Sequence, residues 1–263
     1  VHDFNEIRSA ETNCTPLQLI EPVHYARYIH WLKKQNKEKS LEYWKNYLAG
    51  YSEVAKVPFQ LDEIEETYVE SNEYIRIEGE TFEKIASLCH ENEVTLSTFM
   101  QALWGYLLGR YNNTNDVVFG AVVSGRPASL PGVEDMIGLF NNTIPVRVRC
   151  EEDESPIDLL KRLQKEAIES TGHHYTNLSE VQSQSELKMD LIVVCENYAV
   201  KELENEGVFN TDQSGGLKVK SIELFDQTNY DFNLTVHPTD SFIELNIRYN
   251  SNYFNAALIG RMK

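Results

Sequence analysis

The segment DVVFGAVVSG, residues 116–125, restricts the fold more than any other part of the chain. Its apolar, largely β-branched residues run without alternation and are bounded by turn formers, Asn-Thr-Asn before and Arg-Pro after. A strand of that kind is covered on both faces, so the sheet that holds it needs a layer on each side. The residues just upstream are apolar as well. Thr95 begins a long helical repeat in which Leu96, Phe99, Met100, Leu103, Trp104, Leu107, Leu108 and Tyr111 make the surface apolar almost all round, which predicts burial in the domain centre.

The rest of the pattern fits the same class. NTIPVRVRC (142–150) reads as a second strand, and Ser155 caps a helix with Pro156 at its first position, running to about Ser170. DLIVVCENY is a third buried strand, followed by a polar loop from Lys201 to Gly216. LKVKSIELF, NYDFNLTVH and FIELNIRYN are strand-like, with a turn at Pro238. Upstream, Tyr74 to Ile77 alternate as a strand and Glu80 to Asn92 return to helical spacing. Tyr25, Tyr28, Ile29 and Leu32 mark one amphipathic helix. A second starts near Ser40, carries Leu41, Tyr43, Trp44, Tyr47 and Leu48, and stops at Gly50. Phe4 and Ile7 share a helical face with no start signal before them. Helices and buried strands alternate early and strands cluster late, which predicts an α/β fold with a mixed β-sheet flanked by helices.

Charge excludes one large class of partner. The 24 Lys+Arg stand against 41 Asp+Glu, a net charge of −17 in 263 residues, which opposes attraction to phosphate backbones and argues against nucleic acid. No apolar run reaches the roughly 18 to 20 residues that cross a bilayer, and VHDFNEIRSA has neither a basic leader nor an apolar signal core. No membrane partner and a cytoplasmic location are therefore expected. Cys14, Cys89, Cys150 and Cys195 show no Cys-x-x-Cys spacing and read as reduced thiols.

The common signatures of nucleotide, metal and serine-hydrolase chemistry are absent, so no self-sufficient active site is visible. Ser124 follows a buried strand as a nucleophile does, but lacks the glycine two residues earlier, and reads as a strand-end turn. His173 and His174 invite a base or ligand reading, but no Cys or acid stands at ligand spacing. A surface or groove-lining turn between helices is the simpler reading, and no metal is expected. The acidic runs around Glu63 to Glu66 and Glu151 to Glu154 read as solvated loop faces, and Trp31, Trp44 and Trp104 as core packing. Arg126, at the strand-end Gly-Arg-Pro turn, calls for an acidic partner. Asn141, Asn142 and Thr143 lie between apolar runs, where they must bond backbone or face a channel.

In this order the segments resemble the C-terminal half of the condensation domains of nonribosomal peptide synthetases. YARYIHWLKKQ and LEYWKNYLAG look like that family's paired aromatic helices. In DVVFGAVVSGRP, residues Asp116, Gly120, Ser124, Gly125 and Arg126 match one motif, and in GVEDMIGLFNNTIPVRV residues Gly138, Phe140, Asn142, Thr143 and Arg147 match the next. HHYTNLSEVQ, LIVVCENY, QTNYDFNLTV and IRYNSNYF continue the likeness. The family's catalytic signature, HHxxxDG, is not matched: His173 and His174 are followed by Leu178 and Ser179 where it has Asp and Gly, and they lie after the central motifs instead of before them.

The resemblance implies a chloramphenicol acetyltransferase-like subdomain spanning 1–263, with 1–35 as a connecting segment from an N-terminal half that carries HHxxxDG. It implies peptide-bond formation between a thioester donor and an aminoacyl acceptor, both borne on phosphopantetheine arms of peptidyl carrier proteins, beside an adenylation domain. No cofactor is expected on the chain itself. No catalytic residue is expected in it either. Arg126, Asp116, Ser124, Asn142 and Thr143 are implied to support the site, and Gly138, Phe140, Asn229 and Tyr230 to line the substrate tunnel. Gln227 to Val236 would latch onto the partner half. Arg126 would pair with the signature aspartate or, alternatively, internally with Asp116. An epimerisation or heterocyclisation relative and a non-catalytic carrier-docking module remain the competing expectations.

Overall fold

In the computed structural model, which describes residues 7, 10–17, 19, 21, 23–52, 55–58, 60–61, 67–185, 187, 189, 191–196 and 230–263, helix and strand meet where the sequence places them. The Thr95 hydroxyl accepts the Thr98 N–H at 3.2 Å and starts a helix over Leu96–Asn112, which ends at Asn113 in the left-handed conformation. The buried run follows as the strand Asp116–Val123. From residue 23 on, the described helices are α1 (Ala26–Lys33), α2 (Lys37–Tyr47), α3 (Gly79–Glu91), α4 (Leu96–Asn112), α5 (Pro156–Ser170), α6 (Leu178–Ser185) and α7 (Ala256–Ile259). The strands are β1 (Glu70–Glu78), β2 (Asp116–Val123), β3 (Asn142–Arg149), β4 (Leu191–Cys195), β5 (Phe232–Pro238) and β6 (Phe242–Asn250).

Among the described residues the strands form one mixed six-stranded sheet in the order β1-β6-β5-β4-β2-β3. The middle trio β2, β4 and β5 is parallel, with Gly120 beside Ile192 and Leu191 beside Phe232, while the outer pairings are antiparallel. Consequently Val123, Cys195 and Pro238 all leave the sheet along the same end. β3 is an outer strand, where Pro145 is tolerated because its missing N–H interrupts no inner ladder. On its outer side the Arg147 N–H donates to the Tyr47 hydroxyl of α2 at 2.8 Å.

Among the described residues three apolar clusters hold these layers. The largest sets Trp104 and Leu108 of α4 and Leu160 and Leu163 of α5 against Phe119, Val148, Leu191 and Phe232 of the sheet, with Trp104 stacked on Phe232 at 5.6 Å. α4 approaches so closely that a Cβ on Gly105 would fall 2.5 Å from Val148. A second cluster joins Trp44 and Leu48 to Val118, Ile144, Val181 and Met189. A third packs Leu130, Val133, Met136 and Phe140, from the segment between β2 and β3, against Tyr28 of α1.

The structure corrects three sequence expectations. α4 is not enclosed: Leu103 and Tyr111 are exposed, because only one side of the helix lies against the sheet. α2 starts at the Asn36 cap, whose side chain accepts the Lys39 N–H, and Ser40 is buried inside the helix. Glu154 is not solvated; Arg162 grips both its carboxylate oxygens at 2.7 and 2.8 Å, which holds the carboxyl below its usual pKa. Glu63 to Glu66, the loop from Lys201 to Gly216, the LKVKSIELF strand and Phe4 lie outside the described residues.

Candidate functional site

The strand end that carries Arg126 is built by close backbone crossing. Gly125 has φ +61°, and a Cβ there would fall 1.9 Å from the Phe140 carbonyl oxygen, so no other residue fits. A Cβ on Gly138 would strike the Tyr25 ring at 2.2 Å. The segment between β2 and β3 therefore folds back over its own start. Phe140 packs edge-on against Tyr25 and tilted on Tyr28, and the Arg126 guanidinium lies 4.2 Å above the Phe140 ring. One guanidinium nitrogen donates to the carbonyls of Val133 and Met136. Among the described residues no carboxylate pairs with Arg126.

Asp116 has another partner. Both its oxygens accept from Arg147, at 2.8 and 2.6 Å, and the same guanidinium donates to the carbonyls of Tyr47 and Ala49. The internal Arg126–Asp116 pair is thus absent, for a geometric reason: seven residue steps of about 3.3 Å put Asp116 and Val123 about 23 Å apart along β2. Tyr230 precedes Phe232 at the start of β5, the Asp116 end of the parallel trio, so it too lies away from Arg126. Asn229 lies outside the described residues.

Asn142 and Thr143 are at the Arg126 end, paired with Val123 and Val122. The Asn142 amide donates to the carbonyls of His174 and Thr176, both at 2.7 Å, and so ties β3 to the turn after α5. That turn holds the two histidines. His173 stacks on Tyr43 at 4.0 Å and meets the Ser40 hydroxyl through Nδ1 at 2.9 Å, and its carbonyl accepts from Trp44 Nε1 at 3.4 Å. Ser40 is bonded in turn to Thr176. His174 Nε2 meets the Ser170 hydroxyl at 3.0 Å. Burial, reinforced by His173, pushes the His174 pKa down to about 4, and burial followed by Lys39 lowers that of His173. Both rings are neutral near pH 7. Ser124 is exposed, with its hydroxyl 3.5 Å from the Arg126 N–H.

Two features at this end were not singled out from sequence. His237 Nδ1 lies 3.3 Å from a Glu196 oxygen, one residue beyond the paired strand ends of β4 and β5. A cavity of about 260 Å³ opens under Ala121 and Val123, walled by the starts of α4, the end of α5 and His174. The carboxyl ends of parallel strands are where α/β sheets hold ligands, and that rule applied to VVCEN and TVHP is the signal that could have found the pair. Among the described residues no group of three or more His, Cys, Asp or Glu is placed to hold a metal ion, and no helix is long and apolar enough to cross a membrane.

The profile of the condensation domain family matches residues 2–263. The chain belongs to the condensation domain family. It is 38% identical over 245 residues to bacitracin synthase 3 of Bacillus licheniformis, covering 92% of the chain and 4% of that synthase. With surfactin synthase subunit 3 of Bacillus subtilis (strain 168) it shares 35% identity over 265 residues, all of the chain and 20% of the subunit. The X-domain from teicoplanin biosynthesis superposes with a TM-score of 0.71 at 17% identity, over 97% of this chain and 60% of that one. The starter condensation domain of rhizomide synthetase superposes at 0.69 and 15% identity, over 97% and 56%. The mixed sheet is thus the chloramphenicol acetyltransferase-like fold of nonribosomal peptide synthetase condensation domains, a family of amide-forming acyltransferases. The chain spans a small fraction of the synthases it matches and somewhat over half of the solved chains.

Proposed function

We propose that this chain is the C-terminal subdomain of a peptide-bond-forming condensation domain and supplies one wall of its reaction channel. In the reaction the acceptor's free amine attacks the donor's thioester carbonyl, the C–N bond forms, the C–S bond breaks, and the donor's pantetheine sulfur leaves, to be released as a thiol. Holding amine and carbonyl in line accounts for several kcal/mol of the barrier, which is work for rigid walls. The base or positioning imidazole belongs to HHxxxDG on the other half. His173 and His174 do not replace it, since stacking, burial and hydrogen bonds hold them in a structural turn.

The observation that carries this reading is Arg126. A cation fixed by two carbonyls and an aromatic face, with no carboxylate partner among the described residues, is suited to the aspartate of HHxxxDG. The chain mixed with donor- and acceptor-loaded carrier proteins should give no dipeptide, and addition of a separately produced N-terminal half should restore it. Arg126→Ala should lower the restored rate at least a hundredfold, and Arg126→Lys less. Product from this chain alone would refute the reading, and carrier capture without any complementation would favour a docking module.

A further inference from the structure

The geometry points to the cavity beside His174 as a side-chain pocket for one of the two carrier-borne units, taking a neutral group with an apolar body and a hydrogen-bonding end. This assignment of substrate class rests on the proposed condensation function.

Size sets the first limit. A volume of about 260 Å³ exceeds the roughly 150 Å³ that accepts benzene in a protein interior, yet falls below the range of drug-sized sites. One aromatic or branched aliphatic side chain fits, and a peptide does not. The cavity opens to solvent on one side and reaches Val123, the last residue of β2 before Ser124 and Arg126, so an occupant enters from the strand end assigned to the chemistry.

Lining chemistry sets the second limit. The floor is apolar, made by Ala121, Val123 and Ile144 of the sheet and Leu163 and Ala167 of α5. Several polar groups in the wall are satisfied by one another: the Thr98 hydroxyl donates to Gln164, and the Gln101 amide donates to Ser97. The one acid among the described lining residues, Glu166, is engaged by Arg162 at 3.1 Å. Among the described residues no Lys or Arg lines the space and the Glu166 carboxylate already holds Arg162, so a guest of either charge would be desolvated without a free counter-charge. Two groups retain capacity. The Tyr47 hydroxyl accepts the Arg147 N–H and keeps its own proton to donate. His174 uses one ring nitrogen on Ser170 and has the other unbonded among the described residues. A hydroxyl- or amide-bearing guest can satisfy both.

NMR titration of the 263-residue chain with 4-methylphenol tests the pocket, reading the methyl signals of Ala121, Ile144 and Ala167 and the His174 ring. Saturable shifts confined to these residues are expected, with 4-methylbenzylamine and 4-methylbenzoate binding at least tenfold more weakly. Ala167→Leu and, separately, Val123→Phe should weaken 4-methylphenol at least tenfold in protein whose circular dichroism is unchanged. Absence of shifts at these methyls, equal binding of the charged analogues, or full binding in both filled variants overturns the pocket. The second arm compares amide-linked tyrosyl-pantetheine with lysyl-pantetheine. Competition by the tyrosyl compound alone, lost in Ala167→Leu, supports the carrier-borne guest; failure to compete shows a pocket for free small molecules and overturns that assignment. Neither arm uses the condensation assay, so the pocket and the proposed reaction can fail separately.

Discussion

Arg126 and Arg147 show what a single residue's position decides. Both lie in matching motifs, and both suit a carboxylate, yet Arg147 takes Asp116 with both oxygens while Arg126 rests on carbonyls. The strand register explains the choice: Asp116 faces Arg149 directly, so Arg147 is its diagonal neighbour on the same side of the sheet. That diagonal is invisible until the two strands are paired, which is why the sequence left an Arg126–Asp116 contact open. The pair is largely buried, with side-chain exposures of 10% and 21%, so removing one charge strands the other. Asp116→Asn should lower stability by about 3 kcal/mol in urea unfolding. His174 gives a pH signature. Its folded pKa lies at about 4, below the unfolded value of 6.5, so its stabilisation is complete above pH 6.5 and is lost as pH falls from there toward 4. His173 and the Ser170 hydroxyl face it. Its partial exposure at the mouth of the cavity limits the effect to about 2 kcal/mol, and His174→Gln should flatten that part of the stability profile.

At the scale of elements, caps were readable and tethers were not. Thr95 and Ser155 each accept the amide N–H three residues on, as their place before an apolar repeat predicts, and α5 spans Pro156–Ser170 as read. α2 was placed too late because Ser40, a residue that often caps, is turned inward to Thr176 and His173, while Asn36 does the capping. That Asn142 must bond backbone or face a channel was legible from its apolar flanks, and the structure shows the first. Its acceptors, 32 and 34 residues downstream, were not legible. Asn142→Leu should leave two carbonyls unpaired and cost about 2 kcal/mol. Amide hydrogen exchange should then quicken in residues 171–176 more than in α4, which separates a loosened turn from general unfolding.

For the whole molecule, alternation of helices and buried strands was enough to give an α/β class with a mixed sheet, and the two central motifs were enough to give the family. The strand order β1-β6-β5-β4-β2-β3 was not legible, since it places β4 between β2 and β5 across long sequence separations that local periodicity does not encode. The cavity escaped for a related reason: its walls come from α2, α4, α5, β2, β3 and the turn that holds His174, each of which reads singly as ordinary packing. Net charge acts at this scale as well. With −17 on 263 residues the compact state repels itself, so raising NaCl from 20 to 300 mM should raise the calorimetric midpoint by a few degrees.

The outermost strand opposite β3 has a consequence of its own. Among the described residues β1 ends the sheet with no further strand beside it, and its sequence ESNEYIRIE puts Glu70, Glu73 and Glu78 along that strand. A second copy zipping onto that edge would have to desolvate these charged side chains and their ion pairs with Lys263 and Arg76, which disfavours growth of one copy's sheet onto the next.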